Sequence, residues 1–319
     1  MGRTAAMRML LPMAALGMAV FAVAADSVCA MASPADGAPA RAFRSAREPL
    51  RVGPGERFTR PSEAAAVARD GDTVLIAAGR YDGDVCAWRA NDLTIRGAGA
   101  ERTILDACGK ACMGKGTWVI CGTNATIEGV SFRGAACRDR NGAGIRLDAD
   151  GDLTVRRCIF EKNENGILTG AHGRATVTIE QCRFTGNGAG DGYSHNLYVG
   201  AIRRLVFRHS ASDHAVRGHN LKSRAYETEI LDSVFDDGED GISSYLVDCP
   251  NGGRVTMKNC RLVQSPDATN GTMVSLGEEG AYPGSVFAES GNAYIDRRKP
   301  KGRQGALTDV VRVDAYSCR

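Results

Sequence analysis

A chain of 319 residues is long enough for one repeat domain or at most two ordinary globular domains. Its 39 glycines and 6% aromatic residues suit many turns and thin strands, and fit a thick helical core poorly. The formal net charge of +3, with basic and acidic residues interspersed, argues against nucleic acid or a membrane surface as partner. No nucleic-acid-binding motif is present.

The first thirty residues have the pattern of a signal peptide. Arg3 and Arg8 precede an apolar run from Met9 to Ala24, and Ala22-Val23-Ala24 and Val28-Cys29-Ala30 both offer small-residue cleavage sites. The expected organisation is a signal peptide over 1–30, a flexible lead-in over 31–57, a repeat domain over 58–291 and a tail or cap over 292–319. Export implies a secreted or periplasmic location, with no membrane insertion after cleavage.

Ten cysteines remain after Cys29 is removed, in a chain bound for an oxidising compartment. Cys86, Cys108, Cys112, Cys121 and Cys137 sit among polar loop residues and read as disulfide material. Cys249 and Cys318 are candidates to pin the C-terminal tail. The Cys108–Cys112 spacing lacks a histidine at zinc-ligand distance, so no metal site is assigned.

The element over Pro61-Ser-Glu-Ala-Ala-Ala-Val-Ala68 reads as a short amphipathic helix with Ser62 at its N-cap. It leads through Gly71-Asp-Thr-Val-Leu-Ile76 to Gly79-Arg-Tyr81. A repeat follows. Segments closing at Phe132, Phe160, Phe184, Ser212, Phe235 and Leu262 recur at steps of 28, 24, 28, 23 and 27 residues. A second register moves with it, in strands beginning at Gly144, Gly166, Asn196, Asn220, Gly241 and Thr272. Coils of this length bury too little alone, but stacked about 4.8 Å apart they join into continuous aliphatic columns. Cys158, Cys182 and Cys260 share one column with Val130, Ser210 and Ser233, which makes them core thiols.

The capping helix, first strand and coils resemble the pectin-lyase-like right-handed β-helix superfamily over residues 58–280. The resemblance implies an all-β fold, a right-handed parallel β-helix solenoid with a short N-terminal capping helix. It leaves activity open, because that superfamily contains lyases, hydrolases, epimerases and non-catalytic proteins. Polygalacturonase-type motifs and the calcium-binding aspartates of pectate lyases are not evident. Some β-helical lyases use a Lys and Arg pair.

Alternation with period two picks out one outer face. In Asn220-Leu-Lys-Ser-Arg224 it turns Asn220, Lys222 and Arg224 outward, and one coil earlier Asn196 and Tyr198. One coil later, reading Gly241–Tyr245 as the strand exposes Ser243 and Tyr245. Tyr198, Lys222 and Ser243 then share a column, Arg224 and Tyr245 the next, about 7 Å along the strand. His195 and His219 stack at the preceding turn, and His214 and Arg217 lie on the loop before Lys222.

Two His, a Lys, an Arg and two Tyr on one patch suit acidic polysaccharide chemistry. Removing the weakly acidic proton beside a uronate carboxylate needs positive charge, a base and an acid. The expected roles are Lys222 as base, its basicity adjusted by Arg224, which holds the uronate; Tyr245 or Tyr198 as acid; and His219 or His195 as competing base. Asn196, Asn220 and Asp248 complete the binding residues. Asp236, Asp237, Glu239, Asp240, Asp248, Glu278 and Glu279 form an acidic group read chiefly as solvated turns, with Ca²⁺ as the one candidate ion. The expected function is that of a polysaccharide lyase or uronate epimerase acting as a monomer. The competing reading is a non-catalytic solenoid that binds cell-envelope or host glycans.

Overall fold

A computed structural model describes residues 47–298 and 311–313. The expected signal peptide, the lead-in before residue 47 and Cys318 lie outside the described residues. Strands of three to five residues are dealt in turn to three parallel sheets, beginning with Thr73–Ile76, Gly79–Asp82 and Cys86–Trp88. The same order is kept through Val286–Ser290, Ala293–Asp296 and Val311–Val313. The result is the expected parallel β-helix, right-handed as parallel crossovers are. Every described strand pair is parallel, so each coil hydrogen-bonds only to the coils above and below it.

The solenoid extends beyond both expected boundaries. Leu50–Val52, inside the expected lead-in, already pairs with the first sheet, Leu50 opposite Val74. Ala293–Asp296 and Val311–Val313, inside the expected tail, continue the second and third sheets. The capping helix spans Pro61–Ala65, with Arg60 rather than Ser62 at the N-cap. The Glu63 carboxylate accepts the Thr59 and Arg60 backbone N–H groups, while the Ser62 hydroxyl turns to Asp84. A first-turn carboxylate thus closes this end by reaching back to the N–H groups that precede the helix.

Each coil turns sharply between the first and second sheets. Arg157, Gln181, His209, Asp232 and Asn259 stack there with φ between 48° and 54°. The next residue is small and inward: Cys158, Cys182, Ser210, Ser233 and Cys260. Each donates to the carbonyl two residues back, at 2.7–2.8 Å from the serines and 3.2–3.3 Å from the cysteines. Cys and Ser interchange here because the corner wants a small donor, and both supply one. Among the described residues every cysteine is a free thiol, Cys249 fully buried, so none of the expected disulfides is formed there.

Aromatic rings fill the interior beside this corner. Phe132, Phe160 and Phe184 stack with centroids 5.1 and 4.7 Å apart. In the next coil the equivalent position is Ser212, and Phe207 from the first sheet reaches in to bridge Phe184 and Phe235. Burying each ring contributes roughly 1.5–3 kcal/mol.

One coil departs from the expected register. The third-sheet strand after Leu221–Ser223 is Val247–Cys249, not a segment starting at Gly241. Residues 237–246 form a longer corner, closed by the Gly241 N–H donating to the Asp237 carbonyl and the Ser243 hydroxyl donating to the Asp237 carboxylate. Ser243 is therefore buried, not outward. Asp248, read from sequence among the solvated acidic turns, sits in mid-strand directly opposite Lys222.

Candidate functional site

The third sheet presents an outward column in which Leu168, Tyr198, Lys222, Asp248 and Ser275 follow one another, coil by coil. Lys222 Nζ lies 3.2 Å from Asp248 Oδ2 and 3.7 Å from Glu279 Oε1. Arg224 Nη2 lies 2.7 Å from Glu279 Oε2. Its Nε donates to the Tyr198 hydroxyl oxygen at 3.0 Å, and its Nη1 to Asn251 Oδ1 at 2.7 Å. Tyr198, Lys222 and Arg224 thus face outward together as the alternation required, while Leu221 and Ser223 point into the core.

Asp248 is the least exposed member, with 3% of its side chain accessible. Its Oδ1 is buried without a hydrogen bond. Burial pushes its carboxyl up to about 6, against the opposing pull of Lys222. A carboxylate that changes charge near neutrality beside other charged groups is the type of group catalytic sites contain.

His195 and His219 stack at 4.6 Å, with Tyr245 5.1 Å beyond His219. The His219 backbone N–H donates to His195 Nδ1 at 3.0 Å, and the Tyr245 backbone N–H donates to His219 Nδ1 at 3.3 Å. Each Nδ1 is an acceptor, which fixes the neutral ring proton on Nε2. His219 Nε2 faces Asp248 Oδ2 at 3.5 Å. Burial, then Lys222, holds His219 down at about 3, and burial with the neighbouring cations holds His195 well below its ordinary value. Neither ring has a free lone pair, so the expectation of a histidine base is corrected. His219 instead packs beside Asp248, with Nε2 toward its carboxylate.

Three further expectations change. Asn196 and Asn220 are fully buried rather than outward. Their amides form a ladder inside the corner: Asn196 donates to Asn220 Oδ1 at 2.8 Å, and Asn220 donates to Asp237 Oδ1 at 2.7 Å. They hold the backbone in place and touch no solvent. His214 is tied to Asp213 at 2.9 Å and Asp240 at 3.3 Å, and Arg217 points to solvent on the same corner. Neither joins the Lys222 cluster. Tyr245 packs on His219 as a neighbour, but its hydroxyl donates to Glu278 at 3.0 Å, so that proton is engaged.

Lys222 has a carboxylate on two sides, Asp248 and Glu279. The expectation that Arg224 sets its basicity is therefore replaced by a pairing with Asp248. Sequence reading also missed Asn251 and the role of Glu279. Both come from the turn and loop beyond the displaced strand, so their position follows from that strand's register.

The acidic residues do not converge on one ion. Asp236 binds Arg261, Asp237 belongs to the asparagine ladder, Glu239 binds Arg297 and Asp240 binds His214. Asp248, Glu278 and Glu279 face Lys222, Tyr245 and Arg224 respectively. The donor set fits separate ion pairs better than a Ca²⁺ shell.

These features define a parallel β-helical protein with an outer face of paired charges and tyrosines. The chain belongs to the family described as right handed beta helix region, whose model matches residues 88–283. No curated protein matches the sequence significantly. Similar solved structures include a pectin methylesterase mutant in complex with a hexasaccharide, at 12% identity and a TM-score of 0.53 over 83% of this chain and 92% of that one. The rice weevil pectin methyl esterase matches at 12% identity and TM-score 0.52, over 79% of this chain and 90% of that one. Pectin methylesterase from Yersinia enterocolitica matches at 12% identity and TM-score 0.50, over 79% and 95%. At such identities the likeness is one of fold. Among the described residues no helix is long and apolar enough to cross a membrane.

Proposed function

We propose that the protein is an exported polysaccharide lyase or uronate epimerase acting on an acidic polysaccharide. The observation that carries this reading is the Lys222–Asp248 pair standing beside Arg224 on an outward strand face. Export rests on the N-terminal pattern of a basic stretch, an apolar run and small residues.

Both reactions begin with loss of the proton on the carbon next to the uronate carboxylate. Arg224, its guanidinium fixed by Tyr198 and Asn251, neutralises that carboxylate and stabilises the negative charge that grows on it. Substrate covering the site excludes water, which favours the uncharged form of the buried ion pair. Lys222 then passes one proton to Asp248, and its free amine takes the proton from carbon. In a lyase the electron pair forms the ring double bond and expels the glycosidic oxygen, which takes the Tyr198 hydroxyl proton. In an epimerase Tyr198 returns a proton to the opposite face of the same carbon. Arg224 Nε, already on the Tyr198 oxygen, stabilises the phenolate left behind.

One observation favours the non-catalytic reading: each charge of the cluster already has a partner within the protein. Incubation with a panel of uronate polymers separates the two. Ultraviolet absorbance from unsaturated ends, lost in Lys222→Ala and Arg224→Ala, is the expected result for a lyase. Inverted uronate units without chain scission indicate the epimerase. Binding without any product overturns catalysis in favour of a glycan-binding solenoid. Methanol from methylated pectin, or reducing ends without unsaturation, overturns the proton-abstraction chemistry.

A further inference from the structure

Glu279 is the most exposed member of the cluster, half accessible where Lys222 and Arg224 keep 13% and 23% of their side chains in contact with solvent. Its carboxylate spans both cations, one oxygen to each. Against the opposing effect of burial, Arg224 and then Lys222 hold it below the usual carboxylate range.

The backbone beneath it is fixed. The Gly277 N–H donates to the Cys249 carbonyl, the Glu279 N–H to the Pro250 carbonyl and the Tyr282 N–H to the Asn251 carbonyl, each at 2.9 Å. The Tyr282 hydroxyl donates to the Arg224 carbonyl at 2.9 Å, and Asn251 donates to the Gly280 carbonyl at 3.3 Å. Residues 277–282 are therefore a braced loop, and the part free to leave the cations is the Glu279 side chain alone. Rotation about its χ angles is enough to uncover them.

We propose that Glu279 occupies, in the free protein, the subsite that takes one uronate carboxylate of the substrate. The assignment rests on the proposed reading of this face and deepens it. A carboxylate of the substrate reproduces what Glu279 does here: two oxygens in one plane, one on the Arg224 fork and one toward the Lys222 amine. A uronate carboxylate in that place carries its neighbouring carbon alongside Lys222 Nζ, where the proton must be taken. Glu279 is then a competitor bound in cis. It excludes neutral sugars, which offer nothing to replace the ion pair, and it lowers the affinity for every uronate by the strength of its own contact.

The test is calorimetric titration of the full-length protein with galacturonate and guluronate hexamers, for the wild type, Glu279→Gln, Glu279→Ala and the control Glu227→Gln on the first sheet. Removing one charge-assisted competitor is expected to tighten uronate binding about tenfold in both Glu279 variants. The control is expected to match the wild type, and all four proteins to melt alike. Unchanged or weaker binding in both Glu279 variants overturns the subsite. Product formed by a wild type whose Glu279 variants bind no tighter leaves the lyase or epimerase reading standing and removes this inference. Tighter binding in the variants without product from any of them does the reverse. No uronate binding by any of the proteins overturns both.

Discussion

Asp248 sets the pH behaviour expected of the site. The Lys222–Asp248 pair must hold a single proton for Lys222 to hand it on. Below about pH 6 Asp248 takes up a proton of its own, and the lysine's proton then has no acceptor. Turnover is expected to fall about tenfold per pH unit below about 6, and a rate–pH profile checks this. Asp248→Asn, which cannot accept the proton, is expected to lose activity at every pH; an unchanged acidic limb in that variant would place the titrating group elsewhere. The stability sign is opposite to that of an ordinary aspartate. Its folded-state value is raised above the usual 3.8, so its contribution is complete below that value and is lost as pH rises through about 6. At this scale the sequence spoke through alternation alone. It put Tyr198, Lys222 and Arg224 on one face, because a strand leaves no choice once Leu221 is inside. It named Glu279 only within an acidic group and did not bring it or Asn251 to the cations, which they reach from chain 27 to 57 residues further on.

The strand and the corner behave differently as elements. Strand faces follow from period two, but a corner residue next to a strand can turn inward whatever the alternation says. That is the fate of Asn196 and Asn220. Extending the period through the bend put them outside, whereas the bend needs buried donors and acceptors to satisfy backbone groups that leave the ladder. The Ala215 N–H, for one, donates to Asn220 Oδ1 at 3.2 Å. Asn220→Ala would strip that acceptor, open the link to Asn196 and leave the buried Asp237 carboxylate short of a donor. A loss of about 3 kcal/mol in urea unfolding is expected from several buried polar groups losing partners together. A loss below about 1 kcal/mol would mean that the ladder is not what holds the corner. The displaced strand has a related cause. Gly241-Ile-Ser-Ser-Tyr245 has the look of a strand, yet Ser243 is recruited by Asp237, and the chain reaches the third sheet only at Val247.

For the whole molecule, the coil rhythm was legible because stacking multiplies a weak signal. One six-residue match means little, but positions 132, 160, 184, 212, 235 and 262 must agree if each side chain is to meet its neighbour above and below. Even Ser212, a small polar residue in a series of large apolar ones, kept the register, with Phe207 filling the space. The ends were less legible. Leu50–Val52 and Val311–Val313 are three-residue strands whose membership is decided by the coil they lie against rather than by their own pattern. The solenoid then offers three long faces, and the claim at the centre of the proposed function is that acidic polysaccharide lies along the third. Amide hydrogen exchange with and without a saturating uronate hexamer tests it most directly. Added protection is expected at 197–199, 221–224, 247–251 and 277–282, and not on the first or second sheet. Protection along either of those sheets or at the corner between them, or none on any face, would contradict it.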